Sequence, residues 1–392
     1  MKKLLLALLA VSSVGLAQAQ SSVTVYGILD VGYIGSNQQL NTAAATPKTK
    51  TQISQFGQGA ESTSRLGLKG SEDLGAGTSA FFTAEFQLYP EDQNLSGSTN
   101  SGLLNRQSFV GLKQNGIGAV SIGRQYTPVW QAACSTSPGQ CNNIAGDVIY
   151  LGGGSGAAGT STATTNSGLE NGAGFTNRAS NSLFGQSDRF YGFSAQGMYQ
   201  ANNKNSTQTA PATGGELNSS GWGIGADYVW NKLVVKASTQ TFTQITTGTA
   251  TAFSDINYGT FVSAKDQQNF VGGTYDFGIV QAYAQWVQRT ITSTYDGSQF
   301  AKRTAQQIGV RGNIRSNIDA WLSVGNGKFD QYGSTNGSVP FTGYQIGSNY
   351  YLSKRTNLYG IFGSLQAQGN QQTTAGAASS KNMYALGVRH TF

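Results

Sequence analysis

Charge is what this sequence has least of. Only 11% of its 392 residues are Asp, Glu, Lys or Arg, against about 25% for an ordinary soluble domain. Such a chain cannot cover a globular surface with charge in the usual way. Histidine and cysteine are nearly absent too, at one and two residues. They cannot furnish the three or four ligands of a His/Cys zinc centre, and no cofactor or metal is expected. The single histidine, His390, lies two residues from the C-terminus. No Ser/His/Asp constellation can be built around it, so the chain does not read as an enzyme. The formal net charge of +7 is spread thinly, with no dense Lys/Arg run, which argues against nucleic acid as a partner. No apolar run approaches the ~20 residues of a membrane-spanning helix. What is plentiful is glycine, 53 residues, and aromatics, with 18 Tyr, 19 Phe and 5 Trp. That is too much β-forming material for a disordered chain.

The first segment is a targeting signal. Met1-Lys2-Lys3 is basic, Leu4 to Val11 is apolar, and Ala17-Gln18-Ala19 is an A-x-A cleavage site. Together they read as a secretory signal peptide, residues 1–19. The mature chain, 20–392, is read as one domain with a net charge of +5 once Lys2 and Lys3 are removed.

The mature chain has a period of two. In the run from Val23 to Val31, Val23, Val25, Leu29 and Val31 share one parity, opposite Thr24, Tyr26, Ile28 and Asp30. Successive side chains of a strand point to opposite faces, so this is one apolar and one mixed face. The alternation returns at Ala80–Leu88, near Val235, at Gln307–Arg311 and at Tyr384–Phe392. Turn signals separate the runs and alternate in length. Seven are short, from Ser71–Ala76 to Ser353–Thr356. Eight are long and polar: Gly35–Ser62, Tyr89–Leu104, Tyr126–Asn177, Asn202–Ser219, Gln244–Asp266, Ile291–Lys302, Asp330–Pro340 and Ala367–Lys381. Fifteen connections imply sixteen strands, or about 23 residues per repeat of the 373-residue mature chain.

An even strand count with short turns at one end and long loops at the other describes an all-β, antiparallel transmembrane β-barrel. Closure is required, because an open sheet edge has no hydrogen-bond partners in lipid. The apolar parity then faces lipid and the polar parity a lumen. Sixteen strands leave room for water. A soluble β-sandwich would instead place Lys and Glu on the face that here carries Gly, Ser, Thr and Gln.

Several stretches now resemble a known family, the trimeric general porins of Gram-negative bacteria, in particular the β-proteobacterial (Burkholderia/Neisseria-type) group. They are Val23–Gly27, Ser64–Gly75, Asn105–Lys113, Ile122–Gln125, Leu352–Tyr359 and Gly387–Phe392, spread from the first strand to the last. The resemblance implies a homotrimer in the outer membrane, in contact with its lipid and lipopolysaccharide. Each barrel would have short periplasmic turns and long extracellular loops. Its third loop, about 126–177, would fold inward and narrow the pore. It also implies that the terminal aromatic, Phe392, is read by the barrel-assembly machinery during biogenesis.

The resemblance carries three wall arginines onto Arg65, Arg106 and Arg178 as a basic cluster at the constriction. Parity supports Arg65 independently. Leu66 and Leu68 would face lipid, which turns Arg65 and Lys69 inward. Arg106 conflicts with parity, because it shares that of Val110 and Leu112. Guanidinium groups suit the role, since they stay ionised when crowded. Further lumen charges are expected at Arg124, Lys236, Arg289, Arg311 and Arg389, with Asp30 and Glu85 as acids on the wall. Asp147 and Glu170 are the acids expected in loop three. Cys134 and Cys141, in the same loop, are expected to form a disulfide, as suits export through an oxidising periplasm. Gly154 to Gly159 match G-x-G-x-x-G, but no βαβ unit surrounds them. The functional expectation is passive diffusion of small hydrophilic solutes with a bias toward anions. The alternative is a substrate-specific channel for a sugar, phosphate or organic anion.

Overall fold

The computed structural model describes residues 22–41, 49–97, 102–150, 178–202, 218–245, 264–294, 297–332, 337–368 and 378–392. The signal segment, Glu170 and the glycine tract around Gly154–Gly159 lie outside the described residues. The strands are β1 (Ser22–Asn41), β2 (Thr49–Gln58), β3 (Arg65–Gly75), β4 (Thr78–Gln87), β5 (Leu104–Gln114) and β6 (Gly118–Tyr126). One helix, α1 (Pro128–Ser135), follows β6. Then come β7 (Arg178–Ser187), β8 (Phe193–Asn202), β9 (Asn218–Trp230), β10 (Leu233–Ile245), β11 (Ala264–Asp276) and β12 (Val280–Ser293). The wall finishes with β13 (Gln299–Arg315), β14 (Ile318–Gln331), β15 (Gly337–Tyr351), β16 (Thr356–Ala367) and β17 (Ala378–Thr391).

Every strand is antiparallel to its neighbours, and β1 pairs with β17, so the sheet is closed. The wall has sixteen positions, because β2 and β3 together make one interrupted strand. Residues 49–58 pair with the upper half of β1, and residues 65–71 with its lower half, in the same direction. Closure runs to the last residue: the amides of Gly27 and Phe392 each donate to the other's carbonyl, at 3.1 and 3.2 Å.

The two parities separate as the alternation requires. Val23, Val25, Leu29 and Val31 are exposed on the outer face, as are Ile308, Val310, Leu322 and Val324. Their neighbours Asp30, Gln307, Trp321 and Ser323 are buried on the inner side. In a lipid barrel this outward apolar band is what the hydrocarbon covers.

The first long loop is shorter than the sequence suggested. Gly35–Ser62 is mostly strand, with only 42–48 between β1 and β2. The reason is height. Above the lipid band both faces of a strand meet water, so no apolar alternation is needed and the strand reads as a polar loop. The same effect shortens the connections expected at Ile291–Lys302 and Asp330–Pro340, where the strands run on to Ser293 and Gln331.

The break between β2 and β3 is held by Asp30. Its Oδ2 accepts from the amides of Glu61 and Ser62 at 2.9 and 2.6 Å, and its Oδ1 from the Tyr359 hydroxyl at 2.6 Å. Its backbone exchanges bonds with Ser64 Oγ. Asp30 thus points inward but is fully buried. It shapes the wall and does not present a charge to the channel.

Candidate pore constriction

Loop three enters the barrel directly after β6. Thr127 caps α1, accepting from the amide of Trp130, and Pro128 fills the first helical turn. Both choices start a helix well: the threonine satisfies an otherwise orphaned amide, and proline has no amide to satisfy. Cys134 and Cys141 are bonded to each other, with Cα atoms 5.1 Å apart. The bond ties the helix end to the segment that crosses the lumen. By the chain-entropy relation, an eight-residue ring contributes about 2–3 kcal/mol of loop order. Replacing both cysteines by serine should therefore leave the barrel intact but make single-channel current noisier. Reducing agent should have the same effect on the wild type and none on the double variant.

The far wall receives the loop through buried glutamines. Gln240 on β10 accepts from the Val129 amide, and Gln285 on β12 donates to the Ala133 carbonyl at 2.7 Å. Gln307 on β13 accepts from the Val148 amide at 2.9 Å. Gln345 on β15 exchanges two bonds with Asn142 and donates to the carbonyls of Ile144 and Ala145. An amide side chain both donates and accepts, so it can pair with irregular backbone in whatever order that backbone presents. At the broken strand, Asn143 closes the seat by bonding the carbonyls of Gly59 and Ala60. The sequence showed glutamine on the inward parity at Gln307, but not what it was for.

The third side of the lumen is basic. Arg65, Arg106 and Arg178 project from β3, β5 and β7 toward Tyr126. Arg106 donates to the Tyr126 hydroxyl at 2.9 Å, and the Arg178 guanidinium lies 5.0 Å from the centre of the Tyr126 ring. Glu85 on β4 sits among them. Its Oε1 accepts from Arg106 Nε at 2.8 Å, and its Oε2 is 3.9 Å from Arg65. The Tyr26 hydroxyl donates to the same carboxylate at 3.2 Å. Among the described residues, two of these guanidiniums share the one carboxylate of Glu85. Lys69 stands nearby over the Tyr26 ring, at 5.3 Å.

The parity conflict at Arg106 has a local cause. Glu85 pairs with Gln107, but the next residue, Phe86, pairs with Asn105. Arg106 is the extra residue of a β-bulge, and a bulge re-aims a side chain. Val110 and Leu112 stay outside, 62% and 50% exposed, while Arg106 turns in and is 5% exposed.

An aromatic file joins this cluster to the loop. Trp130 stacks on Tyr126 with centroids 5.5 Å apart, and Tyr150 meets Trp130 edge-on at 5.0 Å. Burial pushes the Tyr150 phenol up to about 12, so it stays neutral at physiological pH.

The remaining expected charges are disposed differently. Arg289 is buried in a pair with Asp266 at 2.6 Å, and Arg311 pairs with Asp319 at 2.6 Å while bonding the Pro138 carbonyl. Arg389 meets Glu61 at 3.4 Å. Lys236 stands across from Asp227, which also holds Arg189. Most of the expected basic ladder is thus matched by acids whose partners no sequence spacing reveals. Arg124 shares the parity of the exposed Val120 and Ile122, and it bonds Asn105 O and Ser180 Oγ rather than the cluster. Asp147 does not face the arginines. It is buried, accepts from Ser137 Oγ and the amides of Ile149 and Tyr150, and holds the loop's own turn. Burial raises its carboxyl above the usual range.

A closed barrel with an apolar outer band and a polar lumen, narrowed by a loop seated inside it, is an outer-membrane channel. The family model described as Gram-negative porin matches residues 5–371, and the chain belongs to that family. It is 28% identical over 406 residues to outer membrane porin protein 32 of Delftia acidovorans, covering 100% of both chains. Its fold is similar to a solved anion-selective porin from Comamonas acidovorans, with a TM-score of 0.68 at 22% identity, over 95% of this chain and 100% of that one. It is similar also to the trimer form of OmpT from Vibrio cholerae, with a TM-score of 0.60 at 14% identity, over 95% and 99% of the two chains. The family places the protein in the bacterial outer membrane as a porin, a class of channel rather than of enzyme.

Proposed function

We propose that this porin passes small hydrophilic solutes with a preference for anions, set where Arg65, Arg106 and Arg178 face loop three. The observation that carries this is the imbalance at the cluster. Arg289, Arg311 and Arg389 each have an acid of their own, whereas among the described residues Arg65 and Arg106 share Glu85, with Arg178 beside them on the Tyr126 ring. A surplus of positive charge in a narrow, partly desolvated passage attracts anions, and salt screens it. The anion selectivity stated for the Comamonas porin agrees with this reading. A homotrimer is supported by the trimer form of the Vibrio protein. Cleavage after residue 19 and recognition of Phe392 during assembly complete the proposal.

The test is the reversal potential of the purified protein in a planar bilayer under a KCl gradient. An anion-selective sign is expected, weakening as salt rises. Glu85→Gln should strengthen it, because the cluster then gains one unit of net charge. A cation-selective wild type would overturn the reading. The aromatic file Tyr126–Trp130–Tyr150 favours a second reading, a specific site for an organic anion. That reading requires conductance to be blocked by such an anion at submillimolar concentration, which simple diffusion does not.

A further inference from the structure

We propose that the Cys134–Cys141 disulfide is a thiol–disulfide exchange site reached from the pore, and that its substrates are small anionic thiols.

The helix that carries Cys134 has two faces. Val129, Ala132 and Ala133 are buried in the apolar cluster against the far wall. Trp130 and Cys134 are four residues apart, so they are neighbours on the other face. Trp130 stacks on Tyr126, the ring that Arg106 and Arg178 engage. The disulfide therefore stands one helical turn, about 5 Å, beyond the aromatic contact with the basic cluster.

The ring that the disulfide closes is turned the same way. Thr136, Ser137, Pro138 and Gly139 are buried and held from the wall side. Gln285 Nε2 donates to Thr136 Oγ1 at 3.0 Å, and Arg311 donates to the Pro138 carbonyl at 3.0 Å. Cys134 and Cys141 are only half-buried, and Ser135 and Gln140 beside them are exposed. The sulfur atoms thus lie on the open side of the loop, where a small thiol can approach them.

The backbone favours opening of this ring. Gln140 and Cys141 both have a φ of 54°. That is the left-handed region, which is costly for any residue with a Cβ. Once the bond to Cys134 is broken, both residues can relax. Asn142 stays bonded to Gln345, and Thr136 to Gln285, so the loop remains seated while the ring opens.

The exchange has a direction. Cys134 lies in the last turn of α1, at the negative end of the helix dipole, which disfavours a thiolate there. Cys141 is the better leaving group. The incoming thiolate attacks Sγ of Cys134, a new S–S bond forms, and the Cys134–Cys141 bond breaks. Cys141 departs with the electron pair and takes a proton from water. One thiol is consumed and one is released, so there is no net oxidation. The adduct then carries its negative charge beside the basic passage. The preference for anionic thiols rests on the anion selectivity proposed above, whereas the exchange itself does not.

The test treats the detergent-solubilised protein with a mixture of reduced and oxidised glutathione. Free thiols are then blocked with iodoacetamide, and peptides are mapped by mass spectrometry. Glutathione is expected on Cys134 and the alkyl group on Cys141. Cys134→Ser/Cys141→Ser should carry neither. In a planar bilayer the glutathionylated channel should conduct less and lose anion preference, and dithiothreitol should restore that preference. An adduct that forms only on denatured protein, or chiefly on Cys141, would overturn the proposal. So would an adduct that leaves the reversal potential unchanged. Exchange rates with mercaptoethanesulfonate and with neutral mercaptoethanol, each divided by its rate on the denatured chain, separate the two readings. The sulfonate should gain about tenfold. Equal ratios would overturn the anionic preference, here and in the channel, and leave the exchange site standing. No reaction of the folded barrel with either thiol would overturn the site.

Discussion

Replacing Gly363 by valine should release loop three from the wall without opening the barrel. Gly363 lies on β16 with its inner side against the loop, and a Cβ built there would overlap the Ala145 carbonyl oxygen. Gly343, one strand away, faces the Gly146 carbonyl in the same way. Glycine is required at these positions for close approach, since the loop backbone runs where a side chain would stand. A branched residue suits the strand itself, so the cost falls on the contact. Overpacking costs about 1–3 kcal/mol. Displacement would also break the bonds that Gln345 makes to the carbonyls of Ile144 and Ala145, each contributing about 1 kcal/mol. Single-channel conductance should rise, and anion preference should fall, because ions would no longer be held against the arginines. Gly360→Val is the control: it lies on the same strand but on the outward parity, where a Cβ meets only the flexible end of Leu386. It should conduct as wild type does. If both variants conduct alike, the seat at Gly363 does not hold the loop.

The three arginines should not respond alike to neutralisation. Arg65 and Arg178 are partly exposed, and Arg65→Gln/Arg178→Gln removes two charges from the passage. Anion preference should collapse, and the reversal potential should move toward zero. Arg106 is different. It is buried against Glu85 and bonded to Tyr126. Removing it alone takes away the closest partner of a buried carboxylate and leaves Glu85 with the Tyr26 hydroxyl and the more distant Arg65, a loss of at most about 3–5 kcal/mol. Arg106→Met should therefore lower the temperature at which the barrel unfolds in a heat-mobility assay. Adding Glu85→Gln should recover most of that loss. Recovery separates the structural part of Arg106 from its part in selectivity. If Arg106→Met is as stable as wild type, the ion pair does not contribute as its burial implies.

The barrel was legible because its physics is local. Lipid outside and water inside impose a period of two on each strand, and short turns alternate with long loops, so strand number and orientation follow from counting. Parity placed Arg65 and Lys69 correctly on the inner side. Counting failed where its premise failed. Above the lipid band, water on both faces removes the alternation, and β2 was read as loop. At Arg106 one extra residue reversed parity, and only the pairing of Glu85 with Gln107 and Phe86 with Asn105 shows it.

The chain alone determined that this is a closed β-barrel, because that depends on composition, period and turn spacing, each read along the sequence; the inward third loop came from the family resemblance. The tertiary structure decided where the charge resides. Arg311 and Asp319 are eight residues apart, but Arg389 and Glu61 meet across the seam of the barrel, and Gln345 reaches a loop two hundred residues earlier. Closure of the sheet sets such meetings, and they decide which acid each of these arginines pairs with.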